Sequence, residues 1–353
     1  MSERILAINP GSTSTKIGIF EGTKEVRTIN LSHSAEEIAR FPQINDQLSY
    51  RLEAIQAVLK EEGLKAADFA AIVGRGGLLK PVVSGTYAVN EAMLADLKSG
   101  EYGIHASNLG GVLANLLAKE ACCSAFIVDP VVVDELTPVA RITGLPEMPR
   151  QCIFHALNQK AVAKRFAAEK GKAYEEMNLI VAHLGGGISV GCHAKGQVVE
   201  VNNALNGDGP FSPERAGTVQ AMQFAKMVKE RSLDDIKKLL AGKGGLVAHL
   251  GTNDAREVER RIHEGDKQAE LVYDALIYQI ARYIAANSVA VNGKIDYILL
   301  TGGIAYSKYL TARLIEKVQF IAPVEVLPGE DELQALAEGA YRVLTGKEQA
   351  KVY

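Results

Sequence analysis

Glycine, histidine and arginine in short polar stretches are what this sequence offers for handling a phosphate. In His183-Leu184-Gly185-Gly186-Gly187 three adjacent glycines follow a histidine. Three missing Cβ atoms let backbone N–H groups approach a phosphate closely and let the chain take φ > 0, which makes a cradle with a histidine on its lip. The same residues also read as a glycine-rich hairpin corner with a buried, hydrogen-bonded histidine. A second small turn, Asn9-Pro10-Gly11-Ser12-Thr13-Ser14-Thr15-Lys16, carries hydroxyls and a lysine. Arg75 stands in Gly74-Arg75-Gly76-Gly77, and Arg215 in the polar loop 206–218. A guanidinium suits two-pronged binding of a carboxylate or phosphate, and the glycines beside Arg75 leave room for one. Asp129 closes an apolar run, where it would hold Mg2+ through water or cap the next loop. Thr301-Gly302-Gly303-Ile304 would let a base or ribose lie flat on the backbone. Gly329-Glu330-Asp331-Glu332 is either an acidic bias at a helix N-terminus or a second metal-facing site.

Both small turns lie between strands. The apolar run over 179–182 predicts a buried strand, 188–192 its hairpin partner and 197–201 a third strand. The first turn has the same setting, with strands over 4–8, 16–20 and 24–31. Two strand, glycine-turn, strand, strand units half a chain apart predict an internal duplication. Duplicated α/β halves facing each other would leave a cleft with one glycine turn on each wall. Leu48, Leu52, Ile55 and Leu59 keep helical spacing, and Gly63 ends that helix. Further strands are expected over 69–73, 125–128, 295–300 and 324–327. Helices are expected over 91–98, 107–121, 155–170, 219–229 and 269–291, with a final one to about 344. The first crossing is expected near Pro149, giving domains 1–149 and 150–332, with 333–353 completing the first.

A chain of 353 residues is long for one core. Its composition, 47% hydrophobic and 23% charged, is that of a globular enzyme, and a net charge of −3 argues against a nucleic-acid footprint or a membrane-surface protein. No run reaches the roughly 18 apolar residues of a transmembrane helix. The opening MSERILAI is too short and too quickly strand-like for a signal peptide, so a cytoplasmic protein is expected. Cys122, Cys123, Cys152 and Cys192 lack C-x-x-C spacing, so neither a zinc site nor a redox pair is indicated.

Taken in order, these stretches resemble the acetate and butyrate kinase family, within the sugar kinase, Hsp70 and actin superfamily. Asn9 to Lys16 match its opening phosphate motif, Phe154-His155 and His183 to Gly187 its two histidine motifs, and Thr301 to Ile304 its adenosine motif. The resemblance implies two duplicated ribonuclease H-like α/β domains with a cleft between them. It also implies ATP or ADP with Mg2+ as cofactors, a short-chain fatty acid as substrate and a homo-oligomer. Site residues carried over are Arg75 and Arg215 for the substrates, Asp129 in the cleft, His155 and His183 for the phosphoryl group, and Asp254 and Arg256 at the nucleotide. Asn9, Ser12, Thr13, Lys16, Gly185, Gly186, Gly187, Gly302, Gly303 and Ile304 would surround the nucleotide. Besides Asp129, the magnesium carboxylate falls on Asp331 or Glu332, in a register ambiguous by one residue. Two departures from acetate kinases stand out: Gly186 replaces an asparagine, and Gly76-Gly77 replace bulkier aliphatic residues. The second departure, beside Phe154, predicts a larger acyl pocket suited to butyrate or a branched acid.

The implied reaction needs no general base. A carboxylic acid with a pKa of about 4 to 5 is ionised at pH 7 and is already the nucleophile. Catalysis would then be positioning and charge neutralisation. A P-loop ATPase is excluded by pattern, because the glycine turn before Lys16 lacks the second glycine. A sugar kinase would need a base, for which Asp129 is placed. A switch ATPase of the Hsp70 or actin kind should not need two arginines in its cleft.

Overall fold

The structure, a computed structural model, describes residues 3–353. Among them the strands are β1 Arg4–Pro10, β2 Ser14–Glu21, β3 Lys24–Ser32, β4 Ala71–Arg75, β5 Thr86–Ala88, β6 Ser124–Val128, β7 Asn178–Leu184, β8 Ile188–Ala194, β9 Gln197–Val201, β10 Tyr297–Thr301, β11 Val324–Val326 and β12 Lys351–Val352. They form two sheets, ordered β12-β5-β6-β4-β1-β2-β3 and β11-β10-β7-β8-β9. The chain divides into two compact units. Unit 1 runs up to Val133 and resumes with Asp331–Tyr353, and unit 2 is Asp134–Glu330. The crossings therefore lie between Val133 and Asp134, upstream of Pro149, and between Glu330 and Asp331.

The same five-strand order occurs in each unit. In unit 1 the antiparallel run β3-β2-β1 is joined by parallel β4 and β6, and in unit 2 β9-β8-β7 is joined by parallel β10 and β11. The duplication read from the two glycine turns is thus a duplication of topology. Strands β1 and β7 carry unbroken apolar runs over 5–8 and 179–182 because parallel partners and covering elements bury both of their faces.

In unit 1, Leu6, Ile8, Ile17 and Ile72 pack on Ile55 and Leu59 of the helix Leu48–Glu61 and on Leu113 and Leu117 of the helix Asn108–Ala121. The alternate residues of the sheet face the last helix, Glu332–Leu344, and a Cβ on its Gly339 would stand 2.5 Å from Val128. In unit 2, Ile180, Ala182, Ile298 and Leu300 pack on Tyr273, Leu276 and Ile280 of the long helix Lys267–Asn287. On the other face Leu179, Val181 and Leu299 meet Val162 and Phe166 of the helix Ala156–Glu169.

Two strands are not expected from sequence, β5 and β12, which are three and two residues long and too short to show a period. Strand β4, expected to stop at 73, carries on through Gly74 to Arg75. Gly74 permits this: a Cβ there would lie 2.0 Å from the Gly110 carbonyl oxygen, so strand and helix touch through bare backbone.

Candidate active site

In unit 2 the turn from β7 to β8 closes with the Gly185 N–H donating to the Gly187 carbonyl at 3.1 Å. None of its three glycines takes positive φ, contrary to one half of the sequence reading. What requires glycine is close approach. A Cβ on Gly187 would stand 2.1 Å from Nη1 of Arg215, and one on Gly185 would stand 3.0 Å from Nε2 of His183. Gly186 has only the Glu214 carboxylate near it, at 3.7 Å, and the Ser212 hydroxyl donates to its carbonyl at 2.6 Å. Arg215 therefore lies flat on the turn between β7 and β8, with Nη1 donating to the Ala204 carbonyl. Burial pulls its pKa down from the usual value, yet a guanidinium remains cationic at neutral pH.

His183, the last residue but one of β7, is almost fully buried and stacks on His155 with ring centroids 3.9 Å apart and planes 13° apart. Its Nδ1 lies 2.8 Å from Oδ1 of Asn158, whose Nδ2 donates to the carbonyls of Gly329 and Glu330 at 3.5 and 3.1 Å. Those carbonyls fix which end of the amide faces the histidine, so Nδ1 carries the ring proton of neutral His183. The sequence reading makes His183 a simple donor to a phosphoryl oxygen. With Nδ1 committed, Nε2 donates only as imidazolium, and it sits 3.5 Å from the Glu330 carboxylate.

Gly185 and Gly186 open onto a cavity of about 680 Å³, whose wall also holds Asp254, Arg256, Gly303 and Ile304. Residues expected at the nucleotide from three separate stretches thus meet in one place. Asp254 caps the helix Ala255–His263 and takes both prongs of Arg256, at 3.0 and 2.8 Å. Gly302 does need glycine: its φ is 91°, and a Cβ would stand 2.4 Å from the Leu184 carbonyl oxygen. A Cβ on Gly303 would meet nothing within 4 Å, which leaves its backbone open for a ligand to lie against. Phe154, assigned to the acyl pocket, is 2% exposed.

The other predicted residues belong to unit 1. The Arg75 guanidinium grips Glu332 with both prongs, each at 2.9 Å, and Asn9 joins them, donating to Glu332 at 2.5 Å and accepting from Arg75 at 3.3 Å. The arginine expected to hold a substrate carboxylate thus holds a protein one. Gly76 and Gly77 do not provide the open volume expected of them. A Cβ on Gly76 would stand 2.6 Å from Pro130, and one on Gly77 would stand 2.5 Å from the Asn108 Cα, so both serve close packing, Gly77 against the start of a helix. Asp129 follows β6 at φ 36°, and its Oδ1 accepts from the Ser84 hydroxyl at 2.6 Å and the Gly85 N–H at 2.7 Å. Those bonds go to the segment before β5 and not to the loop that follows Asp129. Its strained backbone, which costs on the order of 1–3 kcal/mol, is of a kind that gathers at functional sites.

Around the first turn Ser12 is exposed, as is Lys16, with Thr13 beside them. The residue that sequence reading misses here is Arg51, fully buried in the helix Leu48–Glu61. It donates to the Ser14 carbonyl at 3.0 Å, the Thr15 hydroxyl at 2.9 Å and the Ser12 carbonyl at 3.3 Å, so it braces the turn from beneath. Its signal in the sequence is a charge on the apolar stripe of that helix, one residue from Leu52.

Among the described residues no three His, Cys, Asp or Glu side chains are arranged to hold a metal by themselves. Mg2+ does not require such a cage, because it binds through one or two carboxylates together with substrate phosphates and water. Glu330, which lines that cavity beside His183, fits that pattern. Glu332 does not, being committed to Arg75, and Asp331 stands at the helix N-cap with φ 24°. Within the acidic stretch, Glu330 is the carboxylate that lines the cavity.

Residues 148–350 match the model of the acetokinase family. Over its whole length the chain is 55% identical to a protein of Clostridium botulinum named probable butyrate kinase, with all of both chains covered. It is 52% identical, again over all of both chains, to butyrate kinase 2 of Clostridium acetobutylicum. Among solved structures, the acetate kinase of Porphyromonas gingivalis superposes with a TM-score of 0.78 at 17% identity, covering 96% of this chain and 99% of that one. With its family model matched over more than half the sequence and its relatives matched over all of it, the chain belongs to the acetokinase family.

Proposed function

We propose that the chain catalyses reversible phosphoryl transfer from ATP to the carboxylate of a short-chain fatty acid, butyrate or a branched four- or five-carbon acid, giving an acyl phosphate and ADP. The observation that carries this reading is the cavity of about 680 Å³ that gathers Gly185, Gly186, Asp254, Arg256, Gly303 and Ile304 on one wall. Membership of the acetokinase family and the names of the two relatives support the choice of acceptor.

In this reading the nucleotide lies on Gly303 and Ile304, its phosphates on the glycine turn after β7. Arg215, laid across Gly187, neutralises charge that builds on the phosphoryl oxygens, a contact of the kind worth roughly 100- to 1,000-fold in kcat. Arg75 is assigned to the acid on the resemblance, with Glu332 and Asn9 holding its fork in plane until the acid takes it. Mg2+, when bound, supplies charge neutralisation at the nucleotide phosphates, and Glu330 is the residue to hold it. No residue has to remove a proton from the acceptor, because the acid arrives ionised. Among the described residues no helix is long and apolar enough to cross a membrane. A cytoplasmic homo-oligomer is the form that the resemblance supports.

The test is ADP release from ATP, with and without acid. Butyrate should stimulate it many-fold. Slow hydrolysis indifferent to every short-chain acid would contradict the proposal and favour a switch ATPase.

A further inference from the structure

The helix Ala156–Glu169 enters unit 2 with Asn158, Gln159 and Lys160 all buried in succession. Each is satisfied in a different direction. Lys160 donates to Glu135 at 2.6 Å and to the Gly196 carbonyl at 2.9 Å. Asn158 fixes His183 through its Oδ1. Gln159 reaches the other histidine through Ser189, and there the direction of every proton can be read.

The starting point is the Ser189 carbonyl, which can only accept. It lies 3.0 Å from Nε2 of Gln159, so that amide end is the NH2 and Oε1 is the far end. Oε1 lies 3.0 Å from Nε2 of His193, which must therefore carry a proton, and Gly191 is glycine because a Cβ would stand 2.6 Å from that Oε1. The His193 Nδ1 then accepts from the Tyr174 hydroxyl at 2.7 Å. In the other direction, the Gln159 NH2 also donates to the Ser189 hydroxyl oxygen at 2.8 Å, and the His155 backbone N–H approaches the same oxygen at 3.4 Å. With its lone pairs taken, the hydroxyl donates its own proton to Nδ1 of His155, at 2.8 Å. The ring proton of neutral His155 is thereby placed on Nε2.

We propose that Ser189, set by Gln159, is a positioning residue that fixes His155 as the Nε2–H tautomer, while Asn158 fixes its stacked neighbour His183 as the Nδ1–H tautomer. The pair then carries its ring protons on opposite nitrogens, Nε2 of His155 and Nδ1 of His183. His155 in this tautomer is able to donate to a phosphoryl oxygen as a neutral ring. This kinetic consequence rests on the proposed phosphoryl transfer. The tautomers themselves do not.

Two measurements on the intact enzyme separate these. With 15N-labelled histidine, long-range proton–nitrogen NMR above pH 8 should give protonated Nε2 for His155 and protonated Nδ1 for His183, assigned by single substitution of each ring. Finding Nδ1–H at His155 in the wild-type protein overturns the proposal whatever the activity is. Ser189→Ala should let His155 populate the other tautomer and lower kcat by roughly tenfold to a hundredfold, as loss of an orienting partner does. Ser189→Thr keeps the hydroxyl and should recover most of that loss. An Ala variant with the wild-type His155 spectrum and unchanged kcat would overturn the proposal. If wild type shows the expected tautomers but makes no acyl phosphate, the proton arrangement holds and the proposed reaction alone fails.

Discussion

Arg215 and the glycine beneath it are one device, since a guanidinium can lie across a phosphate turn only where no Cβ stands. Arg215→Ala should cut kcat by roughly a hundredfold to a thousandfold with the fold intact. Lysine should not restore the loss, because a point charge lacks the planar fork. Gly187→Ala should imitate it, since the new methyl would occupy the place of Nη1. Steady-state kinetics with a melting curve for each variant checks both. At Gly77 the expectation drawn from sequence reverses. Valine there cannot narrow an acyl pocket, because its Cβ would already meet the Asn108 backbone. Gly77→Val should destabilise the protein and lower activity on acetate and butyrate alike, and a kcat/KM ratio that moves toward acetate would contradict the packing role. The thiols offer a further check. Burial pushes Cys192 up to about 12 and Cys152 higher still, while Cys122 is exposed. A thiol reagent at pH 8 should label Cys122 first and reach Cys152 and Cys192 only after denaturation.

Helix Leu48–Glu61 is the support of the first turn, and Arg51 is the side chain through which it acts. Arg51→Ala would take that donor from the Ser12 and Ser14 carbonyls and the Thr15 hydroxyl, of which Ser14 keeps the Gly11 N–H and Thr15 keeps His33, and would leave the buried Oε1 of Gln47 unpaired, at a cost on the order of 1–3 kcal/mol. A fall in the denaturation midpoint together with weakened nucleotide binding is expected. Two buried histidines make stability fall toward acid pH. Burial, then the nearby Lys160, hold His193 well below its usual range, and burial, then Arg51, lower His33. The unfolded chain therefore binds more protons than the folded one below about pH 6.5, and stability rises with pH wherever that is so. The contribution is complete above that value and is lost as pH falls through it. Thermal melts from pH 8 to 5 should show a declining Tm, with a shallower decline in His193→Gln. Strands β1, β2, β7 and β8 are legible in the sequence because their burial is continuous or alternating over several residues. The phosphate turns are legible because glycine, histidine and hydroxyl residues are consecutive there. Arg51, Asn158, Gln159 and Ser189 are not, because each does its work by reaching a residue distant in sequence. The misreading of Gly76 and Gly77 has the same origin: an absent side chain marks a void or a close contact alike until the neighbour, here Pro130 or Asn108, is known.

The cavity of about 680 Å³ is lined by residues of unit 2, so on the proposed reading nucleotide binding should protect that unit. ADP at about a hundred times Kd should stabilise the protein by roughly 2.7 kcal/mol. Hydrogen exchange should slow at the glycine turn after β7, at the start of the helix Ala255–His263 and around Gly303, and protection absent from all three would displace the site. Trapping the product tests directly whether a carboxylate accepts the phosphoryl group. With ATP, Mg2+ and hydroxylamine, the enzyme should form acyl hydroxamate from butyrate and isobutyrate, with smaller yields from propionate and acetate, and Arg215→Ala should abolish nearly all of it. ATP turnover with no hydroxamate from any of the four acids would contradict the account.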